Sequence, residues 1–388
     1  MKKSFWIYLF ILALILMIKL NPAFSQVSVK VGGLIPFTGR WGEPGRECAR
    51  GMLDSAKWFN LQGGSSRWRL EIILNDDSQE PAETIAAYRK MNESDQILIL
   101  YIYSFETAIS LLPHIHLHRI PTLISSVPTN LSDPSSYPFV FSLTPSPLDQ
   151  SKIAMKFLSE NSGIKIRKPK VVFIGSPDRF GTHFLEEGRS YAKQLGLEIG
   201  PDILIPEPHS QKNIPLALAT MNAYGPDFAY VSLASKEAFL LLQEARKLGL
   251  KTRFIGGMRT FDETLSTFDG LLGVQPISPF GEDVPGMVEI IEAHRKWHPY
   301  DSHTLSYVEG WATVKLIAEA LMKSLPEQGY SRLRVKMAFE TFRNFITGGL
   351  IPPVTITATD HRPSVESRIL LIKEGKLVRH TGFISVGR

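Results

Sequence analysis

Short apolar runs alternate with longer segments of mixed polarity along most of the chain. These runs are rich in residues that favour β-structure and lack a strict apolar–polar alternation. They occupy positions 29–35, 70–74, 97–103, 122–126, 170–174, 228–233 and 252–255. Near-continuous apolar runs of this length are typical of strands that are covered on both faces. The pattern therefore predicts seven buried strands.

Three of the intervening segments show the apolar spacing of amphipathic helices. Their apolar stripes are Ala49, Met52, Leu53, Ala56 and Phe59; then the segment from Ile85 to Met91; and then Ala238, Leu241, Leu242 and Ala245, followed by a glycine stop at Gly249. Strands and helices in alternation predict parallel sheets with right-handed crossovers. The predicted fold class is therefore α/β.

Three segments rich in Pro, Ser or Gly interrupt this alternation, at positions 142–150, 275–286 and 348–354. Each follows a strand-like or helical region, and strand and helix signals lie on both sides of it. Three such crossings predict two α/β lobes that exchange chain and enclose a cleft. The spacing alone leaves a second interpretation open, in which these segments are ordinary surface turns.

The amino terminus has the pattern of a secretory signal. Lys2 and Lys3 precede an apolar stretch at positions 5–18, and the small residues Ala23 and Ser25 stand at the −3 and −1 positions of a cleavage site before Gln26. The alternative is a permanent membrane anchor, for which the apolar run is short. We expect residues 1–25 to be removed and the mature chain to be exported to the periplasm.

Charge and cysteine content narrow the function classes. The formal charge of +5 falls to +2 without residues 1–25, since Lys2, Lys3 and Lys19 leave with them. A nearly balanced surface does not favour binding to nucleic acid. Cys48 is the only cysteine, so an internal disulfide is excluded. No later segment is long and apolar enough to span a bilayer.

The loops that follow the predicted strands hold the candidate binding residues. Ligands of open α/β sheets lie beyond the carboxyl ends of the strands. Trp41 stands there in the turn-rich stretch "LIPFTGRWGEPG", where it can form a flat apolar wall of a pocket. Ser104 and Phe105 begin the next predicted helix, whose backbone N–H groups suit a carboxylate. Helix capping alone is the competing explanation for Ser104.

Two further loops add hydroxyl groups and an aromatic ring. Ser125, Ser126 and Thr129 lie in "SSVPTNLSDP", and Phe180 lies in "GSPDRFGTHF". Aromatic residues on facing lobes with hydroxyls between them predict a pocket for a small acid with an apolar side chain. Core packing is the alternative for Phe180.

Other candidate chemistry is weaker. The histidines of "HIHLHR" at positions 114–119 suggest a metal site only if they lie on a strand, and a helix end is the favoured interpretation. Asp76 and Asp77 are expected to be solvated acids at a strand end, and Cys48 is expected to pack. Known hydrolase, Walker and dinucleotide motifs are missing from the sequence. We therefore predict no catalytic residues, no metal and no cofactor.

Several stretches in the right order resemble periplasmic solute-binding proteins of the branched-chain amino-acid type, which serve ABC importers. They are "FTGRWGEPGRECARGMLDSAKWFN", "DRFGTHF", "EARKLGLKTRFIGG" and "TDHRPS", and the likeness extends from Val29 to the carboxyl terminus. The resemblance implies two doubly wound lobes joined by three crossovers, the type I fold of this family. It places residues 26–145 and 279–350 in the first lobe and residues 146–278 and 351–388 in the second.

The resemblance also implies roles for the candidate residues. Trp41 would contact the ligand from the first lobe, the hydroxyls and amides near Ser104, Ser126 and Thr129 would hold its carboxylate, and Phe180 would close over it. The protein would be a monomeric receptor without enzymatic activity that delivers a small molecule to a membrane ABC permease.

One departure from the family pattern affects the ligand. Amino-acid binders of this family place an acid after the strand that ends in "RFIGG", to pair with the ligand's ammonium group. Met258 and then Arg259 occupy that place here, and Ala234 replaces an expected aromatic residue. An aromatic or branched acid without an amino group, or an amide, therefore becomes a candidate ligand beside amino acids. Glu106 or Asp178 is the alternative partner for an ammonium group.

Two other functions remain open at this point. The same cleft would serve a periplasmic sensor that signals to a membrane regulator. An α/β hydrolase would need a nucleophile and a base in the cleft, and the sequence shows no such pair.

Overall fold

The computed structural model describes residues 27–65, 68–77, 80–177, 182, 185–207, 212–324 and 331–388. Its first sheet is parallel throughout and has the strand order β2-β1-β3-β4-β5. The strands are β1 (Val27–Ile35), β2 (Trp68–Asp76), β3 (Ile99–Ile102), β4 (Thr122–Ile124) and β5 (Val140–Ser142). The order places β1 and β3 side by side, so the loops after them meet at one edge.

The second sheet has the order β13-β12-β11-β10-β9-β6-β7, with β8 paired to β6 and β14 paired to β12. It is parallel as far as β11 and antiparallel beyond. Its strands are β6 (Lys170–Gly175), β7 (Glu198–Ile199), β8 (Ile203–Leu204), β9 (Phe228–Ser232), β10 (Arg253–Gly256), β11 (Leu272–Gln275), β12 (Glu366–Lys373), β13 (Lys376–Arg379) and β14 (Ile384–Ser385).

Ten α-helices in the described part of the chain cover these sheets. They are α1 (Gly42–Leu61), α2 (Pro81–Lys90), α3 (Phe105–His118), α4 (Pro147–Asn161), α5 (Leu185–Gln194), α6 (Asn213–Tyr224), α7 (Ser235–Lys247), α8 (Met287–Trp297), α9 (Leu305–Ser324) and α10 (Arg332–Phe339). Within the described residues, no helix combines the length and the apolar character that a membrane span requires.

Helix packing divides the elements between two lobes. Helices α8 and α9 pack on α1, and α10 packs on α9, so these late helices join the first sheet in the first lobe. Helices α4–α7 pack with the second sheet in the second lobe. The chain passes between the lobes after β5, after β11 and after α10. The loops at the carboxyl ends of the strands of both sheets face the cleft between the lobes.

A close contact between α1 and α9 positions two sides of the cleft. A Cβ atom on Gly51 would lie 2.0 Å from the carbonyl oxygen of Tyr307, and one on Gly310 would lie 2.0 Å from that of Cys48. Both helices therefore need glycine where their backbones meet. This contact fixes Glu309, next to Gly310, in the interior of the first lobe.

The seven predicted strands are all present, and the α/β prediction is confirmed. The sequence pattern missed β5, β7, β8, β11 and the strands after residue 365, most of which are very short. Cys48 is fully buried, as expected.

One expectation was wrong. Asp77 is not solvated: it is fully buried, and its Oδ2 accepts a hydrogen bond of 2.8 Å from the Thr107 hydroxyl. This contact ties the end of β2 to the first turn of α3.

Candidate functional site

A cavity lies between the lobes at the carboxyl ends of β3 and β9. It holds about 570 Å³ of empty space, which includes open solvent. The first lobe lines it with Trp41, Tyr103, Ser104, Phe105, Glu106 and Ser126, and the second with Pro147, Gln150, Tyr230, Ser232, Gly257, Met258, Arg259 and Thr260. Both lobes therefore contribute to one site.

Turn chemistry places Trp41 in this cavity. Gly39 has a φ of 69°, which favours glycine, and a Cβ atom on Gly45 would lie 1.9 Å from the carbonyl oxygen of Pro36. The chain can therefore turn sharply after β1 and begin α1 directly after Trp41. The indole is 7% exposed and forms one apolar wall of the cavity.

The amino terminus of α3 forms a second wall. The Ser104 hydroxyl accepts a 3.2 Å hydrogen bond from the Thr107 backbone N–H and donates one of 3.0 Å to the Thr107 hydroxyl. Ser104 is thus an N-cap, and its hydroxyl is engaged within the helix start. The positive end of the helix dipole lies beside the cavity, where it favours an anion.

Two glutamines hold the second-lobe loop that follows β10. Gln150 accepts a 3.0 Å hydrogen bond from the Met258 backbone N–H, and Gln275 donates one of 3.2 Å to the Met258 carbonyl oxygen. Both glutamines are buried. The loop therefore presents the Met258 and Arg259 side chains to the cavity in a fixed orientation.

An ion pair crosses between the lobes next to the cavity. Arg259 Nη1 lies 2.9 Å from Glu309 Oε2, and Arg259 Nη2 lies 3.0 Å from Glu309 Oε1. Arg259 also donates to the Tyr103 hydroxyl at 2.6 Å and to the Ser125 hydroxyl. All four Nη hydrogens are therefore used inside the protein, and only the Nε–H remains for a ligand.

Burial sets the protonation of this network. Desolvation raises the pKa of Tyr101 and of Tyr103, so both phenols stay neutral. Burial by itself lowers the pKa of Arg259, but the Glu309 carboxylate outweighs it and holds that pKa above its usual range. The centre of the cleft therefore contains a charged pair surrounded by neutral hydroxyls.

Comparison with known proteins identifies the family. The sequence profile described as periplasmic binding protein matches residues 28–376, most of the chain. The chain belongs to the periplasmic binding protein family. This match confirms the resemblance stated from the sequence: the protein is a solute-binding protein of the kind that serves ABC transporters, and the family is periplasmic and not enzymatic. The predicted signal at residues 1–25 lies outside the described residues.

Individual relatives of this binding protein are distant. The Leu/Ile/Val-binding protein of Escherichia coli (strain K12) is 23% identical over 287 residues, which cover 70% of this chain and 74% of that protein. The structure of a branched-chain amino acid ABC transporter protein from Thermus thermophilus with bound valine matches with a TM-score of 0.81 and 22% sequence identity. The match covers 93% of this chain and 97% of the Thermus thermophilus chain.

A second solved structure has a different ligand. A solute-binding protein of an ABC transporter from R. palustris in complex with benzoate has a TM-score of 0.76 and 17% identity, and covers 92% of this chain and 98% of its own. The structural neighbours share the type I periplasmic binding protein fold, which confirms the predicted architecture.

The binding protein places five of the eight predicted site residues in the cavity lining: Trp41, Ser104, Phe105, Ser126 and Met258. Ser125 instead lies in the Arg259–Glu309 network, and the Thr129 hydroxyl donates to Ser146 at 3.2 Å, outside the lining. Phe180 lies outside the described residues, as does Asp178. Whether these residues contact ligand stays a prediction.

Several lining residues were not predicted from the sequence. Tyr103 directly follows β3, which was a usable signal, because ligand sites lie at the carboxyl ends of strands. Tyr230 lies within β9 and gave no such signal. It supplies an aromatic ring from the second lobe, whereas Ala234, where the family pattern predicts an aromatic residue, is the N-cap residue of α7.

The histidines of "HIHLHR" lie on α3, which ends at His118. This agrees with the prediction of a helix end rather than a strand. His118 Nδ1 lies 2.8 Å from the Tyr88 hydroxyl, and the rings of His114 and His118 stack. No group of three or more potential metal ligands is present among the residues that the structure describes.

Proposed function

We propose that this binding protein captures a small carboxylic acid that has an apolar body and no amino group, closes its lobes over it and presents it to the permease of an ABC importer. The observation that supports this most directly is the position of Arg259. Its guanidinium stands beside the cavity, directly after Met258, which takes the place where amino-acid binders of the family have an acid.

The charges around the cavity disfavour an ammonium group. Glu106 is the carboxylate among the described lining residues, and it is solvent-exposed. An ammonium group buried beside Arg259 without a partner would cost several kcal/mol. Leucine and valine are therefore expected to bind poorly. If they bind well, Glu106 is the candidate partner for their ammonium group.

The opposite wall suits a carboxylate. The amino terminus of α3 lies beside the cavity with its positive dipole end. The Ser126 hydroxyl also lies in the lining, but it donates to the Pro145 carbonyl oxygen at 2.9 Å, so the helix end is the group that favours the carboxylate. Trp41, Phe105, Tyr230 and Met258 add apolar surface for an aromatic or branched body. The fold accommodates both kinds of ligand elsewhere, since one structural neighbour holds valine and another benzoate.

Closure of the lobes is supported by contacts that join them at the cleft. Arg40 Nη2 in the first lobe lies 2.5 Å from Glu237 Oε2 in the second lobe. Lys236 Nζ in the second lobe lies 3.1 Å from Glu43 Oε2 in the first lobe. Three chain segments connect the lobes and can act as a hinge. Small-angle X-ray scattering is expected to show a smaller radius of gyration when the ligand is added.

A thermal-shift screen of the mature chain tests the ligand class. The panel pairs each amino acid with its amino-free counterpart: leucine with 4-methylpentanoate, valine with 3-methylbutanoate and phenylalanine with 3-phenylpropanoate, with benzoate and small amides added. A ligand that binds only the folded protein raises the melting temperature as its concentration exceeds Kd. We expect shifts with the acids. Shifts with the amino acids alone, lost in Glu106→Gln, would contradict the proposal and assign the ammonium site to Glu106.

A further inference from the structure

Arg259 separates the ligand cavity from a smaller space deeper in the cleft. Both spaces are lined by Trp41, Tyr103, Met258 and Arg259. Only the deeper space is lined by Glu309. The deeper space holds about 300 Å³ of empty space, again including open solvent. The guanidinium and its neighbours therefore form the partition between the ligand and a buried carboxylate.

The groups around the guanidinium are those that bind an ammonium ion. Glu309 is 1% exposed and accepts two hydrogen bonds from Arg259. The Tyr103 ring lies 4.0 Å below the guanidinium carbon, at cation–π distance. The hydroxyls of Ser125 and Tyr101 also contact the Glu309 carboxylate, Tyr101 at 3.2 Å. Carboxylate, aromatic face and hydroxyls thus surround one cation site.

This cation site belongs to the first lobe, and the cation comes from the second. The first lobe contributes Glu309, Tyr103, Tyr101 and Ser125. Arg259 follows β10 of the second lobe. Because the Nη hydrogens of Arg259 are all directed at these partners, the residue completes the protein's own charge pair rather than a ligand's.

We propose that Arg259 occupies the place of a ligand's ammonium group on Glu309, so that removing its side chain converts the cleft into one that binds amino acids. This inference rests on the proposed function and names the pair of residues that sets its ligand class. Arg259→Ala leaves Glu309 as a buried carboxylate with an empty cation site open to the cavity. An ammonium group carried by leucine restores the pairing that the guanidinium provided.

The test compares leucine with 4-methylpentanoate, which differs from it only in lacking the amino group. Isothermal titration calorimetry on Arg259→Ala is expected to show leucine binding tightened at least about tenfold over the natural protein, the equivalent of one charge-assisted hydrogen bond. Methylguanidinium, a fragment of the lost side chain, is expected to raise the melting temperature of the same variant.

Two matched variants serve as controls. Arg259→Ala combined with Glu309→Gln lacks the carboxylate and is expected to gain neither leucine binding nor stabilisation by methylguanidinium. Arg259→Lys retains a cation on Glu309 and is expected to discriminate against leucine as the natural protein does. If Arg259→Ala does not fold, Arg259→Ser carries the same test, because it removes the same cation and leaves a small polar side chain in its place.

The outcomes separate this inference from the proposed function. Suppose that the natural protein discriminates against leucine. If folded Arg259→Ala then gains no leucine binding, or if Arg259→Ala combined with Glu309→Gln gains as much, the role given to Arg259 is wrong and the proposed ligand class stands. If the natural protein already binds leucine as tightly as 4-methylpentanoate, both proposals are overturned.

Discussion

Two of the ion pairs that connect the lobes across the cleft, one deep and one at the rim, differ mainly in burial. In the deep pair, Arg259–Glu309, the side chains are 16% and 2% exposed; in the rim pair, Lys236–Glu43, they are 57% and 64% exposed. Breaking a buried pair leaves an uncompensated charge, whereas an exposed pair contributes little in water. The same chemistry is therefore expected to matter for stability and for the proposed ligand class at the centre of the cleft, and to contribute little at its edge.

Removing the deep cation should have the largest effect. Arg259→Ala is expected to lower the free energy of unfolding by about 3–5 kcal/mol, because Glu309 then stays buried and unpaired. Denaturant unfolding without ligand measures this loss, and adding Glu309→Gln to the same chain should recover part of it. A loss below about 1 kcal/mol, typical of an exposed pair, would contradict the distinction between the two pairs.

Removing the aromatic wall should have the next largest effect, on affinity. Trp41→Ala is expected to weaken binding of the acid by about 1.5–3 kcal/mol, since the ligand then buries less apolar surface. Calorimetry measures the change in Kd. Trp297→Ala is the matched control: this indole lies outside the cavity lining, 4.0 Å from Lys57 Nζ, and its loss should leave Kd unchanged.

A hydrogen bond between the lobes should make stability depend on pH. Glu263 of the second lobe accepts a 2.9 Å hydrogen bond from the Leu305 backbone N–H at the start of α9. Burial, with Asp262 adding to it, raises the pKa of Glu263 to about 8 from its ordinary value of 4.5. The folded protein then holds a proton that the unfolded chain releases, so stability should fall as pH rises from about 4.5 to 8.

Melting temperatures recorded between pH 5 and pH 8.5 check this sign. Glu263→Gln cannot titrate and should show a flatter decline than the natural protein. An equal decline in both proteins would assign the pH dependence to other groups.

The rim pair should give the smallest effect. Lys236→Ala is expected to change the free energy of unfolding by less than about 1 kcal/mol, and by less again at high salt, where exposed charges are screened. Arg40→Gln should have a somewhat larger effect, because Arg40 and Glu237 are 21% and 14% exposed. A larger loss for Lys236→Ala than for Arg259→Ala would reverse the ranking on which the comparison rests.

The strand pattern and the loops after β1 and β3 were predictable, because parallel strands covered on both faces leave continuous apolar runs and place their carboxyl ends together. Trp41, Ser104 and Phe105 were found in this way. Very short strands such as β7 and β8 carry too few residues for a periodic signal, and Asp77 could not be recognised as buried without its contact to Thr107.

The deep pair was beyond sequence reasoning. Arg259 was noticed as a departure from the family pattern, but Glu309 lies 50 residues later, inside a helix that returns to the first lobe. Its position depends on the close contact of α1 and α9 at Gly51 and Gly310. Tertiary contacts of this kind leave no periodicity in the chain, so the partner of Arg259 became visible only in the fold.

Calorimetric titration of the natural protein with 4-methylpentanoate and with leucine, under one set of conditions, shows whether the cleft prefers an acid without an amino group. We predict that the acid binds at least about tenfold more tightly, because Arg259 already occupies the cation site on Glu309. Equal affinity for the two ligands, or tighter binding of leucine, would contradict it.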